Sequence, residues 1–290
     1  MPSPASFMEA APLTTPDITS RMPPRIPNVL TIAGTDPSGG AGIQADLKAF
    51  SANRAYGMSV ITAVVAQNTR GVRAVEALPP EFVAAQIDAV FDDVRVDAVK
   101  IGMVANAEII RTVAERLRAH GARSIVFDPV MVAKSGDALL DPEAVAALRA
   151  DLVPLATLIT PNLPEAAVLL SRGEDWSAEE MATELPALAA MGPEAVLLKG
   201  GHLTGSPEST DLLWWQGQTR SYSAPRIATK NDHGTGCTLS AAIAALLPRK
   251  TLPEAVDEAK RYLQGALAAS DRLEVGGGHG PLHHFHEMWG

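Results

Sequence analysis

The chain has 290 residues, with 24 basic against 33 acidic side chains for a formal net charge of −9, and only 4% aromatics. That balance argues against a nucleic-acid or anionic-membrane surface as its main business, since both need clustered Lys and Arg, and it leaves few rings on which bases could stack. The single cysteine, Cys237, excludes an internal disulfide and a cysteine-based zinc site, and points to a soluble protein of the reducing cytoplasm. Residues 1–27, with seven prolines and no apolar period, read as a disordered or loosely draped extension. From there the pattern is regular. Residues 29–33 predict a buried strand ending in a Gly-rich turn, 42–54 a helix, and 58–66 a β-branched strand. A helix over 80–91 is followed by a strand over 98–101, a helix over 107–119, a strand over 125–127, a helix over 142–148 and a strand over 158–160. Further on come a helix over 178–191, a strand over 195–198, strands over 212–215 and 219–222, and Ala-rich helices over 238–247 and 253–270. The longest apolar run, within 239–247, is far short of the ~18 residues a bilayer span needs, and no charged segment leads an apolar core as in a secretory signal. Short apolar strands alternating with longer helices predict one α/β domain over 28–290, a mostly parallel sheet with helices on both faces. Ligand-binding residues should then lie just beyond the strand carboxyl ends.

They do. The turn after the first strand, Ala33-Gly-Thr-Asp-Pro-Ser-Gly-Gly-Ala-Gly42, has P-loop spacing between Gly34 and Gly39, but Gly40 stands where the phosphate-binding Lys would be. A dinucleotide fingerprint fits 40–45, but the acidic residue expected about 20 residues on is missing. Four glycines beside Asp36 and Asp46 instead suggest a backbone brought close to a ligand. The segment Asn231-Asp-His-Gly234-Thr235-Gly236-Cys237 runs straight into a helix. Glycines at a helix start let amide N–H groups converge on an anion such as a transferring phosphate. Cys237 in the first turn is expected to have a lowered thiol pKa and to accept a proton from a substrate alcohol; the alternative is a small buried apolar residue. Asp128, Asn162 with Glu165, and Lys199 follow three successive strands. Asp128 and Glu165 suit Mg²⁺ bound to phosphates, and Lys199 suits phosphate charge. Alone, Asn162 and Glu165 would read as a helix cap with a first-turn acid; three such groups at successive strand ends, opposite an anion-binding helix start, favour the joint reading. The Gln67 amide, at the end of the β-branched run, offers a donor and an acceptor that complement a 4-aminopyrimidine edge; the plainer reading is a polar strand end. Four of the seven histidines lie at 279–286, weak evidence for zinc without a carboxylate pattern.

Together, segments 33–48, 61–69, 100–103, 128–136, 161–165, 199–202, 233–240 and 278–283, in that order, resemble the hydroxymethylpyrimidine/phosphomethylpyrimidine kinases of thiamine biosynthesis, members of the ribokinase-like superfamily. The resemblance runs from about Asn28 to the C-terminus and makes the terminal histidines part of the family ending. It implies a ribokinase-like three-layer sandwich that uses ATP to phosphorylate 4-amino-5-hydroxymethyl-2-methylpyrimidine and then its monophosphate. Gln67, Gly34, Asp46, Met103 and Val130 match the pyrimidine pocket. Gly234, Thr235, Gly236 and Cys237 match the catalytic turn, with Cys237 as base where most of the superfamily has Asp. Asp128, Asn162, Glu165 and Lys199 match the ATP side, with Mg²⁺ held by Asp128 and Glu165 partly through water. Lys134 is placed to close over the phosphates, and a monovalent cation is left open as a further cofactor. Two departures stand out: the leader 1–27, and Asp232 where a small hydroxyl residue is expected before His233. Asp232 is expected to point to solvent. The edge near 58–78 is expected to pair in a homodimer or serve as a lid. The rival activities are a pyridoxal/pyridoxine kinase and a catalytically inactive pyrimidine-binding protein.

Overall fold

The computed structural model describes residues 25–131, 140–173, 176–203 and 205–289. Residues 1–24 of the expected extension, and Lys134, lie outside the described residues. In chain order the elements are β1 (Asn28–Ala33), α1 (Gly42–Ala52), β2 (Tyr56–Ile61), β3 (Ala63–Asn68), β4 (Gly71–Ala77), α2 (Pro80–Asp93), β5 (Ala98–Ile101) and α3 (Ala107–Ala119). They continue with β6 (Ile125–Phe127), α4 (Pro142–Ala147), β7 (Leu158–Ile159), α5 (Leu163–Leu170), α6 (Ala178–Ala189), β8 (Ala195–Leu198), β9 (Glu208–Trp215), β10 (Gln218–Pro225), α7 (Thr235–Leu246) and α8 (Leu252–Ala268). Eight strands form one sheet in the order β10-β9-β8-β7-β6-β5-β1-β2, and β3 pairs with β4 in a separate ribbon. The strands from β2 across to β8 run parallel, while β9 and β10 are antiparallel at the far edge.

The central strands are apolar on both faces because helices cover both. Their side chains alternate between two cores, as the period of two dictates. Leu30, Ile32, Val99, Ile101, Ile125, Phe127, Ile159, Val196 and Leu198 pack with residues of α2 to α6. Val29, Ala98, Val126, Leu158, Ala195 and Leu197 pack with residues of α1, α7 and α8. The second core is lined by Ala241, Ala242, Ala244 and Ala245 of α7, all fully buried, so this helix can lie close to the sheet. On the first face Phe127 is fully buried, and truncating such a ring to Ala typically costs about 3–5 kcal/mol. Several helices start on side-chain caps: Asn106 for α3, Asp141 for α4, and capping boxes Asn162/Glu165 for α5 and Ser177/Glu180 for α6.

The structure departs from the expected elements at 58–66. That run is not one strand. It ends in the main sheet at Ile61 and resumes at Ala63 in the ribbon. Thr62 is the pivot: its N–H donates to Ala33 O (3.0 Å) and its hydroxyl to Met103 O (2.7 Å). β4 and α5 were not among the expected elements. β4 is almost wholly exposed and so carries no core pattern to read. The strand order reverses between β1 and β5, whose neighbours lead off in opposite directions. In open α/β sheets such a switch point, at the carboxyl ends, is where a ligand-binding crevice opens. A cleft of about 990 Å³ lies there, lined by Gly34, Met103, Asp128, Asn162, Lys199 and Cys237 among others.

Candidate active site

Two turns build the mouth of the cleft. The first, after β1, is organised by Asp36, which is fully buried. Its Oδ1 accepts the N–H (2.9 Å) and hydroxyl (2.7 Å) of Ser38. Its Oδ2 accepts the N–H groups of Gly40 (3.1 Å) and Ala41 (2.8 Å) and pairs with His233 Nε2 at 2.8 Å. Burial alone would raise its pKa, but the hydrogen bonds from His233 and Ser38, with Gln67 alongside, hold it well below the usual carboxylate range. His233 belongs to the second turn, which starts α7, so the Asp36–His233 contact ties the two turns together. The glycines of the first turn mostly serve this packing. A Cβ on Gly40 would meet the His233 ring at 2.6 Å, and one on Gly42 would meet Gly34 O at 2.4 Å. Gly234 has φ +82° and would bring a Cβ to 1.8 Å from Gly40 O, so only glycine serves there.

Beyond Gly234 the chain enters α7. First-turn N–H groups of a helix lack intrahelical acceptors and, with the helix field, favour an anion. Cys237 stands in this turn, half-buried and facing the cleft. The expected lowering of its thiol pKa is not what the structure gives. Burial pushes the thiol up to about 11, while Lys100 and the N–H of Gly42 act in the opposite sense and Asp46 and Asp128 add to the rise. The helix-start effect assumed in the sequence reading is outweighed by desolvation.

Opposite the turn, Lys199 Nζ lies 2.8 Å from Asp128 Oδ1 and 3.9 Å from Glu165 Oε2. Thr160 donates to Asp128 Oδ1 at 3.0 Å and Ser240 of α7 to Oδ2 at 3.4 Å. Burial works to raise the Asp128 pKa, yet Lys199 and Lys100 bring it below its ordinary value. Glu165 is raised to about 7, by burial and by Asp128, against the pull of Lys199. Asn162 Oδ1 accepts Glu165 N–H at 2.9 Å and Glu165 Oε2 accepts Asn162 N–H at 2.7 Å. The helix-cap reading of this pair is therefore realised, and the same two side chains also line the cleft. A Cβ at Gly236 would meet Lys199 Nζ at 3.2 Å and Asp128 Oδ2 at 3.4 Å; the bare backbone there lets the turn close on the charged cluster. Two buried carboxylates beside an amide, all oxygen donors, fit a Mg²⁺ that takes its remaining ligands from water and phosphate. Among the described residues no group of three or more His, Cys, Asp and Glu is arranged as a metal cage.

Gln67, Gly34, Met103 and Val130 also line this cleft. A Cβ on Gly34 would lie 2.4 Å from Met103 Cε, so the glycine sets the width between them. Asp46 is placed differently from the rest. It is fully buried beneath the floor and is not among the lining residues, its Oδ2 held by Thr31 (2.6 Å) and Lys100 (2.9 Å). Asp232 stands at the rim, where its Oδ1 pairs with His279 Nδ1 at 2.9 Å. The terminal histidines serve the tail's docking. His279 N–H donates to Thr69 O (2.8 Å) and Gly278 N–H to Thr69 Oγ1 (3.1 Å), two residues beyond Gln67. His233 N–H donates to Gly280 O at 3.0 Å. His284 is buried against Thr238 of α7, Nε2 to Oγ1 3.0 Å, and burial lowers its pKa to about 3. Sequence reasoning gave no role to Lys100 or His233, and read Asp36 as part of a turn near ligand and not as the clamp between two turns. For Lys100 a signal was present: a lysine inside a four-residue strand that is otherwise apolar.

A mostly parallel sheet of this order, with a Gly-rich helix start facing a lysine–carboxylate cluster across its carboxyl edge, is the architecture of the ribokinase-like small-molecule kinases. A family model described as phosphomethylpyrimidine kinase matches residues 36–283. The hydroxymethylpyrimidine/phosphomethylpyrimidine kinase of Salmonella typhimurium is 60% identical over 263 residues, 90% of this chain and 98% of that protein. Among solved structures, a phosphomethylpyrimidine kinase from Clostridium difficile 630 is similar with a TM-score of 0.74 at 45% identity, covering 83% of this chain and 99% of that chain. Bacillus subtilis pyridoxal kinase, solved as an ADP complex, gives a TM-score of 0.83 at 34% identity, covering 91% of this chain and 99% of that chain. The chain belongs to the phosphomethylpyrimidine kinase family.

Proposed function

We propose that this protein transfers phosphoryl groups from ATP first to the alcohol of 4-amino-5-hydroxymethyl-2-methylpyrimidine and then to the resulting monophosphate, in thiamine biosynthesis. The observation that carries the reading is that an anion-binding helix start, a lysine–carboxylate cluster and the Gln67 pocket open on one cleft. The pyrimidine lies between Gly34, Met103 and Val130 with its amino edge on Gln67. The γ-phosphate lies on the 234–237 turn, with Lys199 matching its charge. Asp128 and Glu165 would hold Mg²⁺, whose chemistry is to neutralise phosphate oxygens. In the first step the alcohol oxygen bonds to the γ-phosphorus, the bond to the β-bridging oxygen breaks, ADP leaves, and the hydroxyl proton passes to the Cys237 sulfur in its thiolate form. In the second step the acceptor is already an anion and needs little base. Lys134 is our candidate for closing over the phosphates. The β3–β4 ribbon, which exposes Val64 and Val75, is our candidate for a homodimer surface.

The test is mass spectrometry of products after incubation with Mg-ATP and either the aminopyrimidine alcohol or pyridoxal. Monophosphate followed by diphosphate from the pyrimidine is expected. Phosphorylation of pyridoxal alone would replace this reading with that of a pyridoxal kinase. No product from either acceptor would leave a binding protein.

A further inference from the structure

Lys100 sits where a parallel strand takes valine or isoleucine. Its strand neighbours Val99 and Ile101 face the α2–α6 core, so the period of two turns Lys100 toward α1 and α7. There its register neighbour on β1 is Thr31, and its Nζ meets Asp46 Oδ2 at 2.9 Å, both side chains wholly without exposure. A buried ion pair is a poor device for stability alone, because a well-packed apolar pair of the same volume serves as well or better. This pair is also not fully satisfied: Asp46 Oδ1 is buried without a hydrogen-bond partner among the described residues. Lys100, on the strand packed against α7, and Cys237, in the first turn of α7, both line the cleft, while Asp46 stays beneath it.

We propose that Lys100 is an electrostatic positioning residue for Cys237, its buried ammonium being the counter-charge to the thiolate that accepts the alcohol proton. This rests on Cys237 acting as the base. The charges that act on the sulfur come from four elements: Lys100 on β5, Asp46 on α1, Asp128 after β6 and Lys199 after β8. The carboxylates oppose ionisation and the ammonium groups favour it. Among these charges Lys100 has the largest effect.

Because the chain has one cysteine, alkylation of the intact protein by iodoacetamide, followed by mass spectrometry across pH, reports this thiol alone. Lys100→Met should slow alkylation at pH 8 at least about tenfold, the effect of one pKa unit on the thiolate fraction. Asp46→Asn should speed it, because the opposing charge is lost. Lys100→Met/Asp46→Asn should be faster than Lys100→Met. A purely structural ion pair predicts something else: both single variants break the same bridge and should shift the rate in the same direction. That result, or an unchanged rate in a cooperatively melting Lys100→Met, overturns the proposal. Should Lys100→Met fail to fold, the sign of the Asp46→Asn effect decides, and slowing overturns. Cys237→Ala, assayed for the first phosphorylation, separates the two readings: full activity there removes the base assignment without touching the alkylation result.

Discussion

Replacing Asp36 with Asn tests whether one carboxylate holds the site's two turns. The carboxylate receives five donors: two from Ser38, the N–H groups of Gly40 and Ala41, and the His233 ring. An amide of the same shape has one acceptor oxygen. If that oxygen faces Gly40 and Ala41, the NH₂ group is turned against the Ser38 N–H, and the charge paired with His233 is gone. Hydrogen bonds to a charged group are worth about 1.5–3 kcal/mol each, and a stranded donor costs about 1–3 kcal/mol. Ser38 is only half-buried, so water recovers part of the loss, and about 2–4 kcal/mol of destabilisation is expected. The pH dependence has a definite sign. The folded-state pKa of Asp36 lies well below its ordinary value. Its contribution is therefore fully present above that ordinary value, near pH 4, and is lost as pH falls through the folded pKa. Urea melts at pH 7 should show the full gap between wild type and variant, and the gap should narrow steadily below pH 4. A loss under about 1 kcal/mol at pH 7, or a gap independent of pH, would refute the clamp.

Other outcomes follow from the same geometry. With the Cys237 thiol raised to about 11, the thiolate fraction grows about tenfold per pH unit below that value. The kcat/KM of the first phosphorylation should climb accordingly between pH 7 and 9, while the second should not. Cys237→Ala should flatten the first profile and cost about 10²–10⁴-fold in that step alone, as initial rates on each acceptor will show. Gly234→Ala forces a Cβ to 1.8 Å from Gly40 O at a φ of +82°. It should abolish both phosphorylations and lower the melting temperature by several degrees, whereas Gly121→Ala, at φ +62° with open space around it, should cost only about 1–2 kcal/mol.

The sequence made the alternating architecture plain because the central strands are short, almost wholly apolar runs, and the Asn162/Glu165 cap was visible as one. It did not show that residues 58–66 divide between two sheets. The β-branched run crosses Thr62 without a Gly or Pro, and contacts distant in sequence, with Ala33 and Met103 among them, turn the chain. The site residues after strands were legible for the same reason the strands were. What stayed hidden is the charge arrangement under them. Asp36 and His233 lie 197 residues apart, and no local pattern announces their pairing. The Cys237 thiol was misjudged because position in a helix is visible in sequence and desolvation is not.

The docked tail has a consequence for how the enzyme comes into being. Thr69 of the ribbon is joined to Gly278 across 209 residues, and the α7 turn to Gly280. Such distant pairings are slow to form, because the loop between them must be closed before the contact rewards it. A nascent chain that has completed every strand of the sheet still lacks the segment that finishes the site's rim. Competence for catalysis should therefore follow the docking of residues 278–280 and not the completion of the sheet.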